Sequence, residues 1–80
     1  MKIQTLVALR IKEVRKNKGI TQEGVAFAAG IDRTFMNHVE NGRKNVSVIT
    51  LEKIVVEGLK ITMHDFFNAE MFVTGKYFNK

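Results

Sequence analysis

The fold of this 80-residue chain is decided by residues 20–42, "ITQEGVAFAAGIDRTFMNHVENG". This stretch contains two short segments. Each is preceded by an apolar residue and then by a helix-capping side chain, which is Thr21 for the first segment and Asp32 for the second. A cap oxygen of this kind accepts a backbone N–H that the first helical turn leaves unpaired, and the apolar residue before it packs on the fourth helical residue. Gly30 and Gly42 stand where glycine commonly ends a helix. The stretch therefore predicts two short helices joined by a tight corner.

The same start signal occurs twice more, in "VSVITL" (46–51) and "ITMHDF" (61–66), and Gly58 falls near the end of the fourth segment as a stop signal. Proline is absent and the β-branched residues do not alternate as they would in strands. The sequence therefore predicts an all-α chain. We expect five helices, at about residues 3–18, 22–29, 33–41, 48–59 and 63–73.

Length and composition limit the classes of function. Eighty residues make one small domain with a thin core, and without cysteine neither a disulfide nor a thiolate metal site can add to it. Self-association is the remaining common way to bury more surface. No apolar run approaches the roughly 18 residues of a membrane span, and no signal-peptide pattern is present. We expect a cytoplasmic protein that binds no membrane.

The positive charge lies in one half of the sequence. The net charge is +5; residues 1–46 hold nine basic and four acidic side chains, whereas residues 47–80 hold four of each. Such an asymmetry suggests a polyanion on one side of the molecule, with an ordinary basic surface as the alternative. The basic string "RIKEVRKNK" (10–18) is interpreted as largely a solvated helix face.

The third predicted helix is two-sided. At about 100° per residue, one arc is polar and the opposite arc is apolar. The polar arc consists of Arg33, Thr34, Asn37, His38, Glu40 and Asn41, and the apolar arc of Phe35, Met36 and Val39. Solvated helix faces usually favour Lys and Glu pairs, whereas Arg, Asn and Thr can hydrogen-bond base edges or phosphates in a major groove. We therefore predict that this arc faces double-stranded DNA.

The runs "TQEGVAFAAGI" (21–31), "DRTFMNHVENGRKNVS" (32–47), "LEKI" (51–54) and "DFF" (65–67) resemble the Cro/repressor-type helix-turn-helix superfamily. More narrowly, they resemble the controller proteins of bacterial restriction–modification systems. The resemblance covers roughly residues 8–68.

This resemblance implies a five-helix, lambda-repressor-like domain over residues 1–80. Its helix-turn-helix would span about 21–41 and its dimerisation region about 47–73. Such proteins are bacterial homodimers, with two dimers on one operator as a further expectation. They bind a palindromic operator to activate restriction–modification genes and, at higher occupancy, to repress them.

Site residues follow from the same resemblance. It assigns base contacts to Arg33, Thr34, Phe35, Asn37 and Lys44. It assigns phosphate contacts to Gln22, Arg43 and Asn45, and a contact with the sigma subunit of RNA polymerase to Glu23. No cofactor is implied.

Several positions depart from the family pattern. Phe35 replaces a usual Tyr, so its ring either contacts a thymine methyl group or packs inward. Lys44 stands where relatives often have Arg, and it lacks the planar fork that reads guanine. Asn41 also stands where relatives frequently carry Arg. Gly24 replaces an acidic residue that helps to contact sigma in activating relatives, so activation rests on Glu23.

The last predicted helix is apolar on nearly every side and needs cover from two directions. We predict that Phe66, Phe67 and Met71 lie in the interface of a homodimer, which would set two copies of the third helix about 34 Å apart, one turn of DNA. The alternative is that a small core uses every aromatic residue it has.

Other classes of function remain as alternatives. An enzyme is disfavoured because the two histidines are far apart in sequence and neither a cysteine nucleophile nor a glycine-rich phosphate loop is present. A protein-interaction module that does not bind DNA is one rival. A phage-type repressor and an antitoxin are rivals with the same fold.

Overall fold

The computed structural model describes residues 2–73. They form α1 (Ile3–Asn17), α2 (Gln22–Ala29), α3 (Arg33–Glu40), α4 (Val48–Glu52), α5 (Met63–Phe67) and α6 (Glu70–Val73). A π-helical turn, Lys53–Gly58, continues α4. Residues 2–73 contain no strand, which confirms the all-α prediction, and none of their helices is both long and apolar enough to span a membrane.

All four predicted helix caps are present. Thr21, Asp32, Ser47 and Thr62 each accept a backbone N–H from the first turn of the helix that follows, at donor–acceptor distances of 2.9 to 3.0 Å. These bonds fix where α2, α3, α4 and α5 begin, because each satisfies a donor that the helix itself cannot.

The corner between α2 and α3 depends on Gly30. Its φ of 71° is left-handed, a conformation that costs glycine no steric penalty. The N–H of Gly30 bonds the carbonyl of Phe27, and the N–H of Ile31 bonds that of Ala26, so the end of α2 is satisfied as the chain turns. This turn sets α3 against α2.

The core lies between α1, α2, α3, the π-helical turn and α5. Its largest fully buried side chains are Ile11, Val25, Met36, Ile54, Val55, Leu59 and Phe66. Since Met36 is fully buried and Val39 nearly so, the apolar arc of α3 faces this core and its opposite arc faces outward.

Gly58 has a different role from the predicted helix stop. A Cβ atom placed there would lie 2.7 Å from Cγ1 of Val25 and 3.2 Å from its carbonyl oxygen. Gly58 therefore lets the π-helical turn approach α2 closely. The left-handed residue that follows is Lys60, with a φ of 62°.

The predicted fifth helix, 63–73, is in fact two short helices. Asn68 has a ψ of 71°, outside the helical region, and separates α5 from α6. The bend brings the ring of Phe72 to 5.0 Å from that of Phe67 and 6.3 Å from that of Phe66, measured between centroids. The three rings thus form one cluster across the break.

The assignment of Phe66 to a dimer interface needs correction. Its side chain has 0% exposure within a single protomer, so it has no surface to offer to a second copy. Arg10 on α1 holds this region by donating to the carbonyl of Phe66 at 2.7 Å and to that of Asp65 at 2.8 Å. Phe66 therefore seals the core, as the alternative reading of the sequence expected.

Candidate nucleic-acid interface

The outward face of α3 presents hydrogen-bonding groups to solvent. Arg33, Thr34 and Asn37 are exposed. The Asp32 cap fixes the first turn, because its carboxylate accepts from the N–H of Thr34 at 2.9 Å and from that of Phe35 at 3.3 Å. Arg33 and Thr34 therefore lie exposed in a first turn whose backbone position is fixed by this cap.

The start of α2 joins this face. Gln22 lines one shallow surface depression together with Arg33, Thr34 and Asn37. The amide nitrogen of Asn37 donates to Oε1 of Gln22 at 3.3 Å. The structure thus brings together four side chains for which the family resemblance implies DNA contacts, three with bases and one with phosphate.

A buried ion pair lies behind the depression. Nε and Nη2 of Arg15 donate to the two carboxylate oxygens of Glu40, at 2.7 and 3.1 Å. The Glu40 side chain is 1% exposed and that of Arg15 is 13% exposed. Gln22 donates its amide to Glu40 at 3.2 Å. A chain of hydrogen bonds therefore runs from Arg15 through Glu40 and Gln22 to Asn37.

Two sequence interpretations change as a result. Glu40 belongs to the polar arc of α3, but its carboxylate turns inward against α1 and is unavailable to DNA. Arg15, read as part of a solvated basic face, is the partner that compensates the buried charge. No local pattern could have joined them, because the two residues are 25 positions apart.

The loop after α3 carries the other predicted DNA contacts. Arg43, Lys44 and Asn45 are all exposed. Arg43 folds back on α3, with Nη1 3.2 Å from Nδ1 of His38. Lys44 and Asn45 lie at the edge of a separate, mainly apolar groove that is also lined by Val46.

Phe35 is half-buried and packs against the core. Of the two alternatives left open by the sequence, inward packing is present in this structure. The remainder of Phe35 stays exposed to solvent.

The face of α2 away from the core carries Glu23 and, one turn later, Phe27. Glu23 is exposed, and Phe27 is 88% exposed, an unusual position for an aromatic side chain. Sequence reasoning identified Glu23 but not its aromatic neighbour.

A second set of apolar side chains, all exposed except the half-buried Met63, lies on α4, the π-helical turn and α5. We call it the apolar stripe, and define it as Val48, Ile49, Val56, Met63 and Phe67. Val48 and Ile49 are more than two-thirds exposed, and Val56 and Met63 line the same depression. Met63 and Phe67 are one helical turn apart.

Of the predicted dimer residues, Phe67 belongs to the stripe, with 38% of its surface exposed, and Met71 on α6 is half-buried. Sequence reasoning missed Val48 and Ile49 on α4, because an apolar residue near a helix start can equally well belong to the core.

Titratable clusters of the kind that hold metals are absent from the described part of the chain, where no three His, Asp or Glu side chains come together. The described residues instead bring together an exposed face of α3, the adjoining start of α2 and a loop that carries Arg43 and Lys44.

A family described as helix-turn-helix matches residues 11–56, more than half of the sequence and the whole of α2, the corner and α3. The chain belongs to the helix-turn-helix family. Curated relatives of this helix-turn-helix protein include control protein C.MunI from a Mycoplasma species, 42% identical over 60 residues, which are 74% of this chain and 80% of the relative.

Solved structures agree with this assignment. The wild-type restriction–modification controller protein C.Esp1396I has a TM-score of 0.78 and 34% identity, covering 96% of this chain and 95% of that one. A tetramer of C.Esp1396I in complex with its natural 35 base-pair operator also has a TM-score of 0.78 and 34% identity, covering 89% and 90%. The relatives are control proteins rather than enzymes, which is the class that the sequence predicted, and the similarity to restriction–modification controllers is confirmed.

Proposed function

We propose that this protein is a sequence-specific transcriptional regulator of restriction–modification genes that binds a palindromic operator as a homodimer. The observation that carries the proposal is the outward polar face of α3. Arg33, Thr34 and Asn37 stand in solvent on a helix whose opposite flank is buried. An exposed helix of this composition, set by a corner against a second helix, fits a DNA major groove.

The proposed contacts fall into two classes. Arg33, Thr34, Asn37 and Lys44 would read base edges, and the exposed part of Phe35 would contact a thymine methyl group. Gln22, Arg43 and Asn45 would hold phosphates, which position the protein without reading sequence. The closeness of Gln22 to Asn37 supports this division, because one side chain can grip the backbone while its neighbour enters the groove.

Arg33→Ala is expected to reduce preference for the operator more than it reduces binding to random duplex. Arginine recognises guanine through two parallel hydrogen bonds, which contribute about 1–3 kcal/mol of discrimination. The experiment selects bound sites from random duplex DNA with both proteins and then measures their affinity for the selected site. The sites selected by the unaltered chain should form a palindrome. In the sites selected by Arg33→Ala, one position of each half-site should lose its base preference.

Lys53→Ala is the matched control, since Lys53 is an exposed cation on the π-helical turn and belongs to neither class of proposed contact. Its selected sequence should be unchanged. Equal losses of affinity for operator and random duplex in Arg33→Ala would reject the base-reading role, and a failure of the unaltered chain to select any sequence would reject the proposed function.

The homodimer is proposed to form through the apolar stripe, together with Met71. A small domain that leaves such a surface uncovered commonly buries it against a two-fold mate. The tetrameric operator complex of C.Esp1396I supports the further proposal that two dimers occupy one operator. Activation at low occupancy and repression at higher occupancy would then follow from filling the two dimer sites in order.

Glu23→Gln is expected to reduce transcriptional activation while leaving operator affinity unchanged. We propose that Glu23 and Phe27 form the surface that a basic segment of the polymerase sigma subunit contacts, because both are exposed on one face of α2. The measurement is transcription in a purified system with operator occupancy determined in parallel. Thr50→Ala serves as a control on a different helix; an unchanged activation level in Glu23→Gln at equal occupancy would contradict the proposal.

A further inference from the structure

His38 lies on α3 one turn after Thr34 and has no part in the contacts proposed above. Its side chain is half-buried, at the edge of the outward arc that begins with Arg33. On a helix with 3.6 residues per turn, Arg33 and His38 flank Asn37 and Thr34 from opposite sides. By angle alone, His38 is therefore as far from the centre of this arc as Arg33 is, and it is half-buried where Arg33 is exposed.

The contact with Arg43 determines which ring nitrogen carries the proton. Nη1 of Arg43 lies 3.2 Å from Nδ1 of His38. A guanidinium group has only donors, so the hydrogen bond requires Nδ1 to accept. In the neutral ring the proton must then be on Nε2, which points away from Arg43 and is left as a hydrogen-bond donor.

We propose that His38 is a further base-reading residue, whose Nε2–H donates to an acceptor on a base edge while Arg43 holds the ring in this tautomer. The inference rests on the proposed DNA binding and deepens it. Arg43 thereby acts twice, as a phosphate contact and as a positioning residue for the imidazole.

A single donor of this kind can bond any base that offers an acceptor, so it selects only against a base that offers none. In the major groove, guanine offers N7 and O6 as acceptors, adenine offers N7, and thymine offers O4, whereas cytosine offers only the N4 amino donor. His38 should therefore discriminate against cytosine at one position in each half-site. The position lies beyond that of Thr34, because His38 is one turn further along α3.

The test compares affinities for operators in which each base pair is replaced in turn. We expect the unaltered protein to disfavour cytosine at one symmetric position by about fivefold, the effect of one hydrogen bond. His38→Ala should lose this preference and no other. His38→Gln should retain it, because the glutamine amide nitrogen reaches the place of Nε2, whereas His38→Asn, whose amide nitrogen reaches only the place of Nδ1, should not.

His64→Gln is the matched control, since His64 is an exposed histidine on α5, outside the DNA surface. A base profile of His38→Ala that equals that of the unaltered protein would overturn the inference, and so would an equal loss of affinity for every sequence. A flat profile for the unaltered protein would instead overturn the proposed function and the inference with it.

A second readout concerns the free protein. Nitrogen-15 chemical shifts of the His38 ring, recorded at a pH where it is neutral, should report the Nε2–H tautomer. Arg43→Ala should shift the ring toward a mixture of tautomers. Shifts of the Nδ1–H tautomer in the unaltered protein would contradict the proposed donor.

Discussion

Arg15→Ala is expected to lower the free energy of unfolding by about 3–5 kcal/mol, the usual cost of leaving a buried charge without its partner. The carboxylate of Glu40 is 1% exposed and takes two of its hydrogen bonds from Arg15. Small domains have only about 5–15 kcal/mol of stability in total. The variant should therefore be partly unfolded at moderate temperature, which thermal and urea unfolding would measure.

A double substitution separates loss of the pair from loss of one partner. Arg15→Met combined with Glu40→Leu removes both charges and should be less destabilising than Arg15→Ala alone, because well-packed apolar side chains can replace a buried ion pair. Lys16→Ala, at an exposed neighbouring position, should change the free energy of unfolding by no more than about 0.5 kcal/mol. A loss below about 1 kcal/mol in Arg15→Ala would contradict the structural role of the pair.

Ile49→Asp is expected to convert the proposed homodimer to a monomer and to weaken operator binding by about a hundredfold or more. Linking two half-site contacts raises the effective concentration of the second, and the gain disappears when the link is broken. Ile49 is 69% exposed in the protomer, so an aspartate there leaves the core intact but puts a charge into the proposed interface. Sedimentation gives the mass and titration with operator gives the affinity.

Phe27→Asp is the matched control for this change. It introduces the same charge at another exposed apolar side chain, on α2 and outside the apolar stripe. We expect it to remain a dimer. A dimer that persists in Ile49→Asp would contradict the proposal that the apolar stripe forms the interface.

Local signals in the sequence predicted most of the fold. Thr21, Asp32, Ser47 and Thr62 were recognised as caps because a cap bonds a backbone N–H within three residues of itself, and all four bonds are present. The starts of these four helices were therefore placed correctly from the sequence, whereas the start of α6 was not predicted. Gly30 was correctly predicted to end α2 for the same reason, because its left-handed conformation depends only on the local turn.

Contacts between residues that are far apart in the sequence could not be predicted from such local signals. The inward turn of Glu40 accompanies an ion pair with Arg15 in another helix, and the break at Asn68 accompanies the packing of Phe72 against Phe67. A helical projection shows which residues share a face of one helix, but not which part of that face another helix covers. For this reason the exposed half of the polar arc of α3 was predicted and its buried edge was not.

The proposal that α3 reads base edges is tested most directly by a double-mutant cycle between Arg33 and a guanine of the selected operator. Replacing that guanine by 7-deazaguanine removes N7, an acceptor in the major groove, and leaves Watson–Crick pairing intact. If Arg33 bonds this guanine, each change alone should weaken binding and the two together should cost about 1 kcal/mol less than the sum of the separate losses. Strictly additive losses at every guanine of the half-site would contradict base reading by Arg33.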